Sequence, residues 1–171
     1  MKTTKTLFLL IVTLMTSIGT YAQKFAYVDS DYILSKMTEF AQAEEKIDDF
    51  SKEWQSEIEL AYEEVEQMYR DYQSEQVLLT SEMKTKREEA IMEKEKSVQS
   101  LQQKYFGNNG DLYKKRQDLI KPIQDRIFDA VQQLAASNKY SIIFDASSDL
   151  IMLYSNPDLD KSDKVLELMG Y

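Results

Sequence analysis

Apolar residues recur at steps of three and four through the first half of the chain: Ile47, Phe50, Trp54, Ile58, Ala61, Val65, Met68 and Tyr72, with polar and charged residues between them. That spacing lays one apolar stripe along one helix. The succession Phe50, Trp54, Ile58 takes two consecutive steps of four, a departure from strict heptads that locally alters a supercoil. A return stripe runs through Val98, Leu101, Tyr105, Leu112, Leu119, Ile123, Ile127, Ala130 and Leu134. Thr80 and Ser81 supply a cap for the second helix, which places the reversal between about residues 74 and 81. Residues 38–137 hold two glycines and one proline. So long a periodic run points to a coiled coil or an extended helical hairpin, stabilised by packing along a partner. Arms of about 40 to 55 residues would reach roughly 60 to 80 Å.

Two features interrupt the return stripe. Gly107-Asn108-Asn109-Gly110 predicts a bulge, kink or short loop, and Pro122 removes a helix hydrogen bond and predicts a local bend. Gly107, Gly110 and Pro122 are therefore candidate hinges; the glycines equally suit the absorption of a length mismatch between helices. On either side of the helical run lie strand signals. Residues 24–29 alternate and predict a strand, then a turn at Asp29-Ser30-Asp31 and a short helix over 32–37. Residues 140–146 and 150–155 are apolar runs separated by Ser147-Ser148-Asp149, a hairpin signal. Pro157 and the cap region 160–162 introduce a last helix over 163–169, which Gly170 closes. The expected fold is α+β: a small β-strand body from residues 23–37 and 138–171, with the coiled-coil-like hairpin arm of 38–137 inserted in it.

Composition then narrows the function. Residues 1–22 read as a cleavable secretory signal peptide, with Lys2 and Lys5 at its start, an apolar segment over 7–18 and Thr20-Tyr21-Ala22 before the cut. The rival reading, a membrane anchor, meets an apolar centre that is short for a span and interrupted by Thr13, Thr16, Ser17 and Gly19. The chain has no cysteine and no histidine. Lipid attachment to a cysteine is thereby excluded, and an exported chain of this kind must be held together by helix packing and association rather than disulfides. Common zinc sites, haem ligation and histidine-assisted nucleophiles also disappear, leaving only carboxylate sites for hard cations formally open. No catalytic, cofactor-binding or metal residue is assigned, and the chain does not read as an enzyme. It has no glycine-rich phosphate loop with its lysine.

Without residues 1–22 the chain carries 19 basic and 30 acidic residues. That balance disfavours nucleic acid and anionic lipid surfaces as partners. The charge is unevenly placed: residues 39–79 hold 13 acidic and 3 basic side chains, and residues 80–137 hold 9 and 11. An acidic outbound helix beside a mildly basic return helix favours pairing within the hairpin, as a supporting effect, since exposed ion pairs are individually weak.

Phe25-Ala-Tyr-Val-Asp-Ser30 with Tyr32-Ile-Leu34, Leu119-Ile-Lys-Pro-Ile-Gln124 with Ile127 and Ala130-Val131, Tyr140-Ser-Ile-Ile-Phe-Asp145 and Asp160-Lys-Ser-Asp-Lys-Val165 follow one another in an order that resembles the periplasmic chaperones of the Skp/OmpH type. The resemblance covers essentially the whole chain after residue 22. It implies a jellyfish-like homotrimer, in which strands of three chains form a body and three helical hairpins descend around a cavity. Phe25, Tyr27, Val28, Ile142, Phe144, Ile151 and Leu153 are the candidates for packing in that oligomer body. Two departures limit what carries over. The family's enterobacterial members are basic whereas this chain is acidic, so no lipopolysaccharide site is transferred. Lys161 also stands where the family's terminal motif is usually apolar, which bears on how the last helix packs.

The resemblance implies an ATP-independent periplasmic holdase that binds unfolded outer-membrane proteins between its arms and prevents their aggregation, without stable membrane insertion. A holdase needs many weak, adaptable contacts, which Met and Tyr side chains supply. Tyr62, Tyr69, Met83, Met92 and Tyr113 are the candidate client-binding residues, each equally readable as hairpin seam; Met68 and Tyr72, on the main stripe, are assigned to the seam. The alternative from another class is a structural coiled-coil spacer or adaptor of the cell envelope. An amphipathic lipid binder fits less well, because the outbound arm is acidic.

Overall fold

The computed structural model describes residues 23–148 and 153–171. Strand β1 (Lys24–Val28) leads into helix α1 (Ser30–Lys36), then α2 (Thr38–Glu75), α3 (Ser81–Phe106), α4 (Asp111–Asn138), strand β2 (Tyr140–Asp145), a short 3-10 turn (Pro157–Leu159) and helix α5 (Ser162–Met169). The expected leader, residues 1–22, lies outside the described residues, as does Ile151. No described helix is long and apolar enough to cross a membrane.

Local chemistry explains the boundaries. Asp29, Ser30 and Asp31 do not form the separate turn expected of them. The Asp29 carboxylate accepts from Tyr32 N at 2.9 Å and caps α1 directly after β1. Met37 stands between α1 and α2 with extended dihedrals, and its side chain is buried. Thr80 caps α3 by accepting from Met83 N, so the arm reverses over residues 76–80. Pro122 lies inside α4, which runs unbroken from Asp111 to Asn138. Gly170 ends α5 at φ 89°, a left-handed position suited to glycine, and its N–H reaches the carbonyls of Glu167 and Leu166.

The described sheet has two strands; of the expected hairpin partner, residues 150–155, the first three lie outside the described residues. β1 and β2 are parallel neighbours, pairing Phe25 with Ile142 and Tyr27 with Phe144. Residues 153–156 are not in a strand, and Leu153 and Tyr154 are 95% and 83% exposed. Ser147 and Ser148, in the expected turn, fold back onto Asp145. Ser147 donates to the Asp145 carboxylate through N and Oγ, and Ser148 Oγ donates to the Asp145 carbonyl. On the other edge of β1, Tyr27 bridges Asp160, and Lys161 N donates to the Tyr27 carbonyl at 2.9 Å.

Two hydrophobic cores form. The body core joins Val28, Ile33, Met37 and Ala43 to Ile123, Ile127, Ala130 and Leu134 of α4 and to Val165 and Leu166 of α5. It thus takes in the roots of α2 and α4. The arm core joins Ile58 and Val65 of α2 to Val98 and Tyr105 of α3, with Trp54, Ala61, Leu101 and Phe106 packed around them. Beyond the stutter, the most deeply buried seam positions are seven apart on both helices: Ile58, Val65, Tyr72 outbound and Ile91, Val98, Tyr105 returning. That is the spacing of an antiparallel coiled-coil seam. α2, with 38 residues, is about 57 Å long.

Candidate client-binding and assembly surfaces

The flanks of the arm are built from tyrosines that cross the seam. Tyr62 Oη donates to Gln102 at 3.4 Å and Tyr69 Oη to Glu95 at 3.0 Å. Tyr62 and Tyr69 are seven residues apart on α2, as are their acceptors on α3, so both pairs repeat along one flank. Met92 precedes Glu95 by three residues and shares its helix face. Tyr62 and Tyr69 are 45% and 41% exposed, and Met92 58%. The structure therefore sets Tyr62 and Tyr69 as two hydroxyl-tethered rings on one flank, with Met92 exposed on the same face of α3 as Glu95, the acceptor of Tyr69. Met83, near the tip, and Tyr113, in the first turn of α4, are exposed but stand apart from it.

Two further tyrosines are buried in the seam. Tyr72 Oη donates to Glu88, and Tyr105 Oη donates to Glu57 at 2.8 Å. These hydrogen bonds to carboxylates hold the phenols of Tyr69, Tyr72 and Tyr105 above the ordinary tyrosine range, so all three remain donors at neutral pH. Arg87 pairs with Glu75 at 3.1 Å and Lys94 with Glu64, ion pairs that join the acidic outbound helix to the return helix. Their exposure makes each weak.

The second surface is the outer face of the sheet. Ala26 and Val28 of β1 are buried, whereas Phe25, Ile142 and Phe144 are 40%, 47% and 40% exposed, with Tyr27 half-buried among them. Among the sheet candidates, Val28 belongs to the chain's own core. Leu153 lies off the sheet. Between β2 and α4 an open cleft of about 350 Å³ is lined by Leu34, Ile127, Phe128, Val131, Ile143 and Phe144.

The model of the family described as outer membrane protein (OmpH-like) matches residues 24–169, spanning both the sheet and the entire arm. The chain belongs to the OmpH-like family. A crystal structure of an inferred outer membrane chaperone (OmpH-like) from Caulobacter crescentus CB15 shares the fold, with a TM-score of 0.69 at 13% sequence identity over 87% of this chain and 85% of that one. No functionally curated protein matches the sequence.

In this OmpH-like chain the three terminal sequence segments meet at one hydrogen-bonded junction. Asp145, at the end of β2, accepts from Ser30 N at 3.1 Å and Ser30 Oγ at 2.7 Å. Asp29 N donates to the buried Ser162 Oγ at 2.9 Å, and Ser162 donates in turn to Asp160. Burial alone would raise the Asp145 pKa; the hydrogen bonds from Ser30 and Ser147 outweigh it and hold the carboxyl below the usual aspartate range. Lys161 does not enter the core. Its ammonium turns back to the Asp158 carbonyl while its backbone serves β1, so the departure from an apolar residue leaves the α5 start docked. Sequence reasoning missed Asp145, Ser162 and the buried Ile91. The only trace of the junction was Asp and Ser at each segment end, a pattern equally typical of ordinary caps.

Proposed function

We propose that this protein is an ATP-independent holdase chaperone of the periplasm, exported by a cleavable signal peptide. It binds unfolded outer-membrane proteins along its arms and keeps them from aggregating. The observation that carries the reading is the exposure of Tyr62, Tyr69 and Met92 along a long, thin hairpin. Apolar rings with polar tips and a flexible thioether adapt to many chain segments, and several such weak contacts in parallel give avidity with rapid exchange. Release needs no nucleotide: clients leave when folding or membrane insertion outcompetes these contacts. The OmpH-like family and the chaperone description of the Caulobacter structure support the same assignment.

The working form is a homo-oligomer, a trimer with the arms arranged around a shared cavity. A two-stranded parallel sheet covered on one face is marginal by itself, and parallel sheets are ordinarily buried on both faces. Phe25, Ile142 and Phe144 of neighbouring chains would cover one another and remove the open strand edge. The acidic balance of this chain favours apolar and basic client segments over anionic lipid.

The test joins mass to activity. Light scattering gives the oligomeric mass of the protein without residues 1–22, and turbidity follows an outer-membrane barrel diluted from urea with and without it. A trimer that suppresses aggregation near one equivalent without ATP supports the proposal. A monomer or dimer with no effect on aggregation overturns it and favours an envelope spacer.

A further inference from the structure

The return helix is broken once, between α3 and α4, and the break lies where the two cores meet. The body core ends near Phe40, Ala43 and Leu119, and the arm core begins at Trp54 and Phe106. Opposite the break, α2 runs through unbroken but carries its stutter, Phe50, Trp54, Ile58. A joint with a broken return helix and a relaxed outbound seam would be free to bend. Here five side chains are stacked across it. Lys115 Nζ lies 5.2 Å over the Phe50 ring, Phe50 packs on Trp54 with centroids 5.5 Å apart, and Trp54 lies 4.7 Å from Tyr105 at an interplanar angle of 3°. Lys104 Nζ lies 4.7 Å over the Tyr105 ring.

The placement of these residues matters as much as the distances. Lys104 and Tyr105 precede the break, Lys115 follows it, and Phe50 and Trp54 are on the continuous helix. The row therefore fastens both sides of the break to one pair of rings. Tyr105 is tied further by its hydroxyl to Glu57. The backbone of the break is itself tight: a Cβ on Gly110 would stand 2.7 Å from the Tyr105 carbonyl and 2.8 Å from that of Lys104.

We infer that the Lys115, Phe50, Trp54, Tyr105, Lys104 row is a latch that holds the arm straight at the Gly107–Gly110 joint. Bending the arm there requires Trp54 and Tyr105 to unstack. Gly107 and Gly110 supply the place to bend, and the aromatic row sets how often it does so. The joint is a property of the single chain; its use in admitting larger clients rests on the holdase reading.

The chain has no cysteine and one tryptophan, so both a distance and an optical measurement can be made without client. Spin labels at Gln73→Cys, towards the tip, and Gln132→Cys, in the body, report the angle across the joint when labelled chains are diluted with unlabelled ones. Tyr105→Leu removes the stacked ring and one cation contact while keeping apolar bulk, and should raise the unstacked population about tenfold. The distance distribution then broadens, and acrylamide quenching of Trp54 rises severalfold. Tyr105→Phe keeps the ring and should leave the distribution narrow, as should Val65→Ala, which loosens the seam away from the joint. If Tyr105→Leu does not fold, judged by helical circular dichroism, Trp54→Leu carries the same distance test. Narrow distributions in Tyr105→Leu or its substitute, or equal broadening in Val65→Ala, would overturn the latch. Because no client is present, a protein that fails as a holdase can still pass.

Discussion

Replacing Asp145 probes the junction that joins sheet, first helix and last segment. Its carboxylate accepts from Ser30 N, Ser30 Oγ, Ser147 N and Ser147 Oγ at 2.7 to 3.1 Å. Asp145→Ala leaves the Ser30 N–H, an early N–H of α1, and the Ser147 N–H with no protein acceptor, and leaves the two serine hydroxyls only each other, 2.6 Å apart. Bonds to a charged group are worth roughly 1.5–3 kcal/mol each when buried, but this site is partly wet, so a total loss of about 2 kcal/mol is expected. At this chain length that corresponds to a Tm lower by about 4–8 °C. Asp145→Asn keeps the shape and one accepting oxygen and should cost about half as much. The pH dependence has a definite sign. Asp145 titrates below its unfolded value of 3.8, so its contribution is fully present above that value and is lost as pH falls through the lower, folded value. The assay is thermal melting by circular dichroism from pH 7 to pH 2.5 at one fixed protein concentration, because association also shifts Tm. The advantage of the native chain over Asp145→Asn should be constant above about pH 5 and shrink below pH 4. An advantage unchanged down to pH 2.5, or an Asp145→Ala chain melting within a degree of the native one, would refute the reasoning.

Three further outcomes are expected. Ile142→Asp with Phe144→Asp places charges on the open sheet face, and light scattering should show the mass of a single chain with its helical circular dichroism kept; an unchanged oligomer would exclude this face from assembly. Val98→Ala, at a position 1% exposed in the arm seam, should cost the arm about 1–3 kcal/mol, so hydrogen exchange should accelerate in α3 and the distal half of α2 while the body stays protected. Tyr62→Ala with Tyr69→Ala removes two exposed rings from the flank of the seam; aggregation suppression should fall severalfold with Tm lowered by only a few degrees, and undiminished suppression would move client contact elsewhere.

Much of the arm was legible because a helix is specified by near neighbours. Spacings of three and four place Ile58, Val65 and Tyr72 on one face whatever they pack against, Thr80 caps α3 through its own third neighbour, and Gly170 ends α5 by its own dihedral freedom. The client candidates were legible only as residue types. Which of Tyr62, Tyr69, Met83, Met92 and Tyr113 share a flank depended on how α2 and α3 meet.

The alternation of apolar residues in 24–29 and 140–146 was enough to mark strands, and the helical period enough to mark a hairpin between them. The pairing of those strands was decided by tertiary structure. Ser147 and Ser148 mark the end of β2 locally by binding back to Asp145, but nothing local says that β2 lies parallel to a strand more than a hundred residues earlier. A parallel pair has no local signature, since its register is set by the long connection that returns the chain, here the whole arm. The aromatic row is of the same kind. Phe50 and Trp54 appear in the sequence as a stutter and Gly107 and Gly110 as a break, but only the packing of α2 against α3 and α4 sets one opposite the other and stacks Tyr105 on Trp54.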